Sequence, residues 1–306
     1  MTTSKGPVAI LGAAGQDGRY LAEAHRRRGD RVLCFSRRSR DDIAELDVAD
    51  RTAITELIRR ERPAVVYQLA AVSSTRHEAL WDNQSAIVDG TLNVLEAAFA
   101  HSRETAVMVI GSALQFENRG EPIRETDPFA AASAYALARI QAAYAARYFR
   151  SKGLRAYVGY LFHHESPERC PPHVSARICR DVAAIARGQA DVLEVGDPRV
   201  EKEWGYAGDV ADALIRMVEQ SEVFEAVVGT GEAHSIREWA ERCFARAGLS
   251  PADRIRALPD FRAEYPRIVS SPETLRRLNW TPRMRFEELA DQMMTRALEL
   301  NRGVAA

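Results

Sequence analysis

Three glycines, Gly12, Gly15 and Gly18, are the residues of this chain whose type and spacing specify chemistry most directly. They follow the apolar run Val8-Ala9-Ile10-Leu11 and lead into a helical pattern, in the order strand, G-x-x-G-x-x-G, helix. A glycine at the first place allows a sharp turn off the strand, the second lets main chain approach a pyrophosphate, and the third lets the helix pack closely on the sheet. The helix N-terminus then turns unpaired N–H groups toward phosphate charge. Gly12-Ala13-Ala14-Gly15-Gln16-Asp17-Gly18 therefore reads as a dinucleotide-binding loop, with Gly12, Gly15, Gln16, Asp17 and Gly18 as its contacts.

The next strand-like run ends at Phe35-Ser36-Arg37-Arg38-Ser39-Arg40. A carboxylate at such a strand end accepts the ribose 2′-hydroxyl of NAD, whereas arginine suits a 2′-phosphate. Arg37 and Arg38 make NADP the expected cofactor. Asp47, after the short piece Ala44-Glu45-Leu46, is placed to accept an adenine amino group. Ala70 and Ala71 follow the strand-like run that ends at Leu69 and let the chain pass close to the cofactor, with Leu69, Ala70 and Ala71 as expected contacts.

The elements that must position these residues alternate. Strand-like runs at 8–11, 31–35, 64–69, 106–110 and 155–161 are separated by helical patterns at 19–28, 51–60, 86–100 and 134–151. That rhythm predicts an α/β fold with a Rossmann, doubly wound parallel sheet. Asp50 is the expected N-cap of the second helix, and Ile87, Leu92, Val94 and Leu95 support the third. After Leu161 a loop around Glu165-Ser166-Pro167-Glu168-Arg169-Cys170-Pro171-Pro172 and then short elements predict a smaller C-terminal substrate-binding lobe. The expected division is 1–162 plus about 206–230 for the NADP-binding domain, and 163–205 plus 231–306 for the lobe.

Composition narrows the partners. Forty-two basic and 43 acidic residues give a net charge of -1, which does not ask for nucleic acid or an anionic membrane. Cys34, Cys170, Cys179 and Cys243 form no C-x-x-C pair, so buried or incidental thiols in a reducing compartment are expected. The N-terminus lacks a charged-then-apolar pattern and no apolar run approaches the roughly 20 residues that span a bilayer, which reads as a soluble, cytoplasmic chain. His163-His164-Glu165 lacks a further suitably spaced ligand, so no metal is expected.

The chain resembles the extended short-chain dehydrogenase/reductases, and within them the GDP-mannose 4,6-dehydratase family. The resemblance rests on Gly12 to Gly18, Tyr67-Gln68-Leu69-Ala70-Ala71, Leu161-Phe162-His163-His164-Glu165-Ser166-Pro167, Trp204-Gly205-Tyr206-Ala207-Gly208-Asp209 and Leu278-Asn279-Trp280-Thr281-Pro282. It implies a Rossmann domain, NADP held through turnover, a nucleotide-diphosphate sugar as substrate with GDP favoured, and a homodimer or homotetramer. Members often carry a longer chain ahead of the last motif.

The resemblance also assigns catalytic positions. Such enzymes oxidise sugar carbon 4 with a tyrosine base, helped by a lysine four residues later and by a hydroxyl; a cation beside a phenol favours its ionised form. Tyr135 and Arg139 stand at the tyrosine and lysine places, one helical turn apart, with arginine replacing lysine. Around Ile110-Gly111-Ser112-Ala113-Leu114-Gln115-Phe116, Ala113 takes the hydroxyl place and Gln115 the glutamate place, with Ser112 one residue off. A carboxamide cannot carry the protons that elimination requires. In the substrate pocket the resemblance points to Arg177, Lys202 and Arg267 as neutralisers of a diphosphate, and to His163 where the family has asparagine. The resulting expectation is NADP-dependent hydride transfer at carbon 4 without elimination, as epimerisation or 4-keto reduction. The alternatives are a 4,6-dehydratase with a displaced acid/base, such as Glu117 or a histidine, and a catalytically silent binder of NADP and nucleotide sugar.

Overall fold

The computed structural model describes residues 6–169 and 173–300. Cys170, one of the four expected free thiols, lies outside the described residues. Six strands, β1 (Val8–Leu11), β2 (Val32–Ser36), β3 (Ala44–Glu45), β4 (Val65–Gln68), β5 (Ala106–Ser112) and β6 (Ala156–Leu161), join an edge strand Glu225–Val228 in one sheet. Its order is Glu225–Val228, β6, β5, β4, β1, β2, β3, with every neighbouring pair parallel. The chain runs outward from β1 to one edge and returns through β4 to the other, so the switch point lies between β1 and β4, where open α/β sheets bind ligands.

Helices cover both faces, which is why β1, β5 and β6 are buried along their whole length and largely apolar, with Ser112 at the end of β5. α1 (Gln16–Arg27) packs on one face; α2 (Arg51–Glu61), then α3 (Leu80–Asn83) and α4 (Gly90–His101), and α5 (Ala134–Ser151) pack on the other. Asp50 caps α2 as expected, accepting the Ala53 N–H at 3.0 Å. α1 begins at Gln16 rather than 19, because Gly15 is its N-cap. The third helical region begins at Leu80, earlier than 86, and contains a π-helical turn over Gln84–Asp89. The Gln68 side chain donates to the Ala86 carbonyl at 3.1 Å, a side-chain intrusion of the kind that interrupts an α-helical ladder. Leu92, expected to support the packed face, is 41% exposed and points outward.

Beyond β6 the strands are short, as the pattern predicts, but the helices are not, which corrects that part of the expectation. α6 (Val174–Ala186) has 13 residues, α7 (Ala207–Val218) 12, α8 (Ile236–Arg246) 11 and α10 (Phe286–Leu300) 15, with a brief α9 (Glu273–Arg277) between the last two. Their apolar stripes are built partly from alanine, cysteine and methionine amid many arginines, so periodicity is muted in the sequence. α7 returns to the main sheet beside α1. α6, α8 and α10 enclose a separate core in which Trp204 stacks on Trp239 with centroids 4.3 Å apart. Cys34, Cys179 and Cys243 are free and buried. Among the described residues, no helix is long and apolar enough to cross a membrane.

Candidate active site

The glycine loop is built as its spacing demands. Gly12 has φ +87°, and a Cβ there would stand 2.8 Å from the Ala70 nitrogen, so the turn and the close approach of the Leu69-Ala70-Ala71 segment both require glycine. The Leu69 N–H bonds the Leu11 carbonyl at 2.9 Å, fixing that segment beside the loop. A Cβ on Gly18 would lie 2.6 Å from Ala13 Cα, so glycine also sets how closely α1 seats. Gly15 differs: a Cβ would meet only the Gly12 oxygen, at 3.3 Å, and would otherwise point into open space. No side chain caps α1, which leaves its first-turn N–H groups to an anion. A cavity of about 400 Å³, lined by Gly15, Gln16, Arg19, Arg169 and His173 among others, opens here.

The residues expected to read the adenosine half lie farther along the sheet. Arg37 and Arg38 are exposed just past β2. Asp47 is exposed, with one carboxylate oxygen accepting the Ala49 N–H at 2.9 Å. An open cradle, an uncapped helix and two exposed guanidinium groups suit the pyrophosphate and 2′-phosphate of NADP.

Tyr135 and Arg139 stand on one face of α5, whose N-cap Ser133 accepts the Ala136 N–H at 3.1 Å. The Arg139 guanidinium sits 5.0 Å from the Tyr135 ring centroid. It is buried, donates from Nη1 to the Ile110 carbonyl at 2.6 Å, and leaves Nε without a partner among the described residues. β5 extends through Ser112, two residues beyond the predicted end, and closes in a tight turn. Ser112 Oγ accepts the Leu114 N–H at 3.2 Å, and the fully buried Gln115 returns its Oε1 to the Ser112 N–H at 2.9 Å. Gln115 thus closes the turn that β5 ends in. Glu117 is exposed and paired with Arg119 at 3.0 Å.

The segment after β6 carries a charge network that the sequence reading did not assemble. His164 Nε2 lies 2.8 Å from Asp17 Oδ1, and its Nδ1 lies 2.7 Å from the Phe162 carbonyl. Burial opposes charge on His164, but the Asp17 carboxylate outweighs it and raises the pKa. For Asp17, burial pulls upward and His164 more than compensates, leaving the carboxyl below its ordinary value. Ser166 Oγ donates to Gln16 Oε1 at 2.8 Å, a second tie to α1. Asp17 and Gln16, expected as cofactor contacts, are therefore engaged with the 164–166 segment.

His163 points the other way. Its Nδ1 is 3.0 Å from the Glu203 carbonyl and its Nε2 is 3.0 Å from Glu165 Oε1. Burial, aided by the Lys202 charge, lowers its pKa to about 4. Burial tends to raise the Glu165 carboxyl, but His163 and Arg169 hold it at about 2. Arg169 Nε donates to Glu165 at 2.9 Å. Lys202 is 7% exposed, with its ammonium 4.8 Å from the Trp204 ring centroid, and burial lowers its pKa to about 8.

Glu203 is the brace beneath this cluster. Fully buried, it accepts from the N–H groups of Thr230 at 2.6 Å, Gly231 at 3.1 Å and Ser270 at 2.5 Å, and from Ser270 Oγ at 2.6 Å. It joins the end of the edge strand to the lobe. Neither Arg177 nor Arg267 has an uncommitted guanidinium. Arg177 donates to the Glu194 carbonyl at 2.9 Å, and Arg267 to Glu201 at 3.1 Å and the Gly120 carbonyl at 2.6 Å. Of the four expected substrate contacts, Lys202 alone combines deep burial with a cation that no recorded acceptor engages among the described residues.

Comparison with known proteins agrees with this architecture. The chain is 29% identical to GDP-mannose 4,6 dehydratase of Cricetulus griseus over 340 aligned residues, covering 96% of this chain and 91% of that protein. It is likewise 29% identical to GDP-mannose 4,6 dehydratase 1 of Arabidopsis thaliana, covering 95% and 89%. Among solved structures, UDP-glucose 4-epimerase of Thermus thermophilus in complex with NAD superposes with a TM-score of 0.82 at 24% identity, covering 95% of this chain and 98% of that one. RMD from Pseudomonas aeruginosa complexed with NADPH gives 0.80 at 23% identity, covering 97% and 100%. Residues 9–293 match the GDP-mannose 4,6 dehydratase family, and the chain belongs to it.

Proposed function

We propose that the protein is an NADP-dependent enzyme that performs hydride transfer at carbon 4 of a nucleotide-diphosphate sugar, ending in epimerisation or 4-keto reduction rather than loss of water. GDP-linked sugars are favoured by the curated relatives. One observation carries the distinction from elimination: the side chain at the acid/base place is the buried carboxamide of Gln115, committed to the Ser112 N–H, while Glu117 is exposed and paired with Arg119.

In this reading the bound cofactor would supply hydride chemistry at carbon 4, taking up and returning the hydride in epimerisation or, as NADPH, delivering one in 4-keto reduction. Gly12, Gly15 and Gly18 shape its cradle, Arg37 and Arg38 hold the 2′-phosphate, and Asp47 meets the adenine. Tyr135 takes the proton of the 4-hydroxyl when carbon 4 is oxidised and gives a proton to the carbonyl oxygen when it is reduced, and the Arg139 guanidinium beside its ring favours the phenolate charge that develops there. Ser112 supplies the neighbouring hydroxyl. Lys202 neutralises the diphosphate, and His163 orders the same wall through Glu203 and Glu165.

Residues 1–162 with about 206–230 form the NADP half, and 163–205 with 231–306 the nucleotide-sugar half. The protein acts as a homodimer or homotetramer; Leu137, Tyr144 and Tyr148, exposed at helical spacing on α5, with Leu92 on α4, give an apolar face for a second copy. A cytoplasmic location accords with the free buried thiols.

The test is incubation with NADP or NADPH and a panel of GDP-, UDP-, dTDP-, CDP- and ADP-sugars in heavy water, read by mass spectrometry and NMR. A mass-neutral isomer or an NADPH-dependent reduced product supports the proposal. Loss of water overturns it in favour of a dehydratase with a displaced acid. Silence across the panel, with NADPH bound, favours the binding role, a reading to which the buried attachment of Arg139 to Ile110 lends weight.

A further inference from the structure

Two anionic demands meet at the start of α1. Its uncapped first turn faces the cavity beside Gly15, yet the same turn carries a carboxylate, Asp17. A negative charge there competes with a bound phosphate for the same helix dipole and N–H groups. His164 resolves this conflict geometrically: both of its ring nitrogens face groups with no proton to give, the Phe162 carbonyl at 2.7 Å and Asp17 at 2.8 Å. Asp17, its carboxyl held below the ordinary value, is ionised at neutral pH, and with an ionised partner only the imidazolium, a donor at both nitrogens, satisfies that pair.

We propose that His164 is a positioning residue for the cofactor, which as an imidazolium cancels the Asp17 carboxylate beside the pyrophosphate cradle and fixes α1 to the segment following β6. The assignment rests on the dinucleotide reading of the glycine loop. It goes beyond that reading by giving the loop a charge partner from the substrate side of the molecule. The Ser166 to Gln16 bond repeats the tie one residue earlier in α1, so the join has two points and a defined angle.

Charges from every neighbouring element surround the pair, and Arg19 and Glu23 of α1 with Glu168 of the loop after β6 line the same cavity. Asp17 from α1 favours the imidazolium, and Arg169 from the loop after β6 opposes it. His163 and Glu165 flank it on its own segment; burial holds His163 neutral and Glu165 is ionised against Arg169. His173, at the start of α6, is held toward neutrality by burial and by Arg169. Lys202, on the strand Glu201–Lys202, changes charge near pH 8. Gly205 pairs with His164 along the backbone and brings no charge.

NADPH titration of the full chain by fluorescence between pH 6.5 and 9 tests the assignment. Wild-type affinity is expected to weaken as pH rises and His164 loses its proton. His164→Gln is expected to bind about tenfold more weakly at pH 7, the scale of one uncompensated charge near a solvated site, with that His164-dependent slope gone. Asp17→Asn added to His164→Gln removes the stranded carboxylate and should restore affinity to within about twofold, a rescue that a merely structural histidine would not permit. The cofactor phosphate and Lys202 titrate in all three proteins and cancel in the comparison.

Wild-type binding with an unchanged dissociation constant in His164→Gln, or a double variant as weak as the single, overturns the charge role alone. Wild-type protein that binds no NADPH at any pH overturns the cofactor reading and this assignment with it. Nitrogen NMR of the wild-type imidazole at pH 7 needs no variant to fold: two protonated ring nitrogens on His164 are expected, and a neutral tautomer refutes the pair.

Discussion

Gly15 and Gly18 are three residues apart in one motif, yet alanine at each should fail in different ways. At Gly18 the added methyl would fall 2.6 Å from Ala13 Cα, 2.8 Å from the Gly12 oxygen and 2.9 Å from the Ala13 carbonyl carbon. All three are main-chain atoms, so no side chain can rotate aside and α1 must lift from β1. Overpacking of this kind costs roughly 1–3 kcal/mol, and rigid contacts place Gly18→Ala toward the upper end. At about 2–4 °C per kcal/mol, its melting temperature should fall by several degrees. At Gly15 the backbone is at φ -72°, open to alanine, and the methyl meets only one atom, at 3.3 Å. Its fold should be nearly unchanged, but the methyl enters the cradle and blocks the pyrophosphate. Thermal melts with and without NADPH separate the two. Ligand at 100 times its dissociation constant stabilises by about 2.7 kcal/mol, so wild type should show a clear upward shift. Gly15→Ala should melt like the free wild type and lose most of that shift, whereas Gly18→Ala should melt low before any cofactor is added. Equal melting temperatures for Gly18→Ala and wild type would refute the packing argument. A full NADPH shift in Gly15→Ala would refute the placement of the cradle.

Three further expectations concern the chemistry. Tyr135→Phe should lower turnover about 10²–10⁴-fold with little change in NADPH affinity, the range for a positioned proton-transfer group; steady-state rates and a cofactor titration check both halves. Lys202→Met should raise the KM for the nucleotide sugar more than it lowers kcat. In wild type, sugar binding should weaken above about pH 8 as the ammonium loses its proton, a limb absent from the variant. Glu165→Gln should destabilise the fold by about 3 kcal/mol at pH 7, the usual cost of breaking a buried ion pair, as seen by denaturant titration. Because the folded Glu165 carboxyl is held at about 2, below the ordinary 4.5, its contribution is present above pH 4.5 and lost as pH falls toward 2. The variant should therefore show a shallower acid limb, and an unchanged limb would exclude Glu165 as its source.

The glycine loop was legible because its geometry is local. Turn, close approach and helix seating are properties of Gly12, Gly15 and Gly18 and their immediate neighbours, and a parallel strand buried on both faces announces itself as an unbroken apolar run. Asp50 was legible for the same reason, since a cap acts three residues away. The family was legible in motifs spread along the chain and holds over residues 9–293. Tertiary structure decided what distant residues do to one another. Asp17 and His164 are separated by 147 positions, and neither shows its partner in sequence. Gln115 reads as a lost acid, but folding makes it the closure of the β5 turn. Arg177, Lys202 and Arg267 look alike as cations along the chain; packing engages the two arginines and buries the lysine. Burial and charge pairing are sums over neighbours brought together by the fold, so the sequence supplied the groups and the tertiary structure set their protonation and their availability.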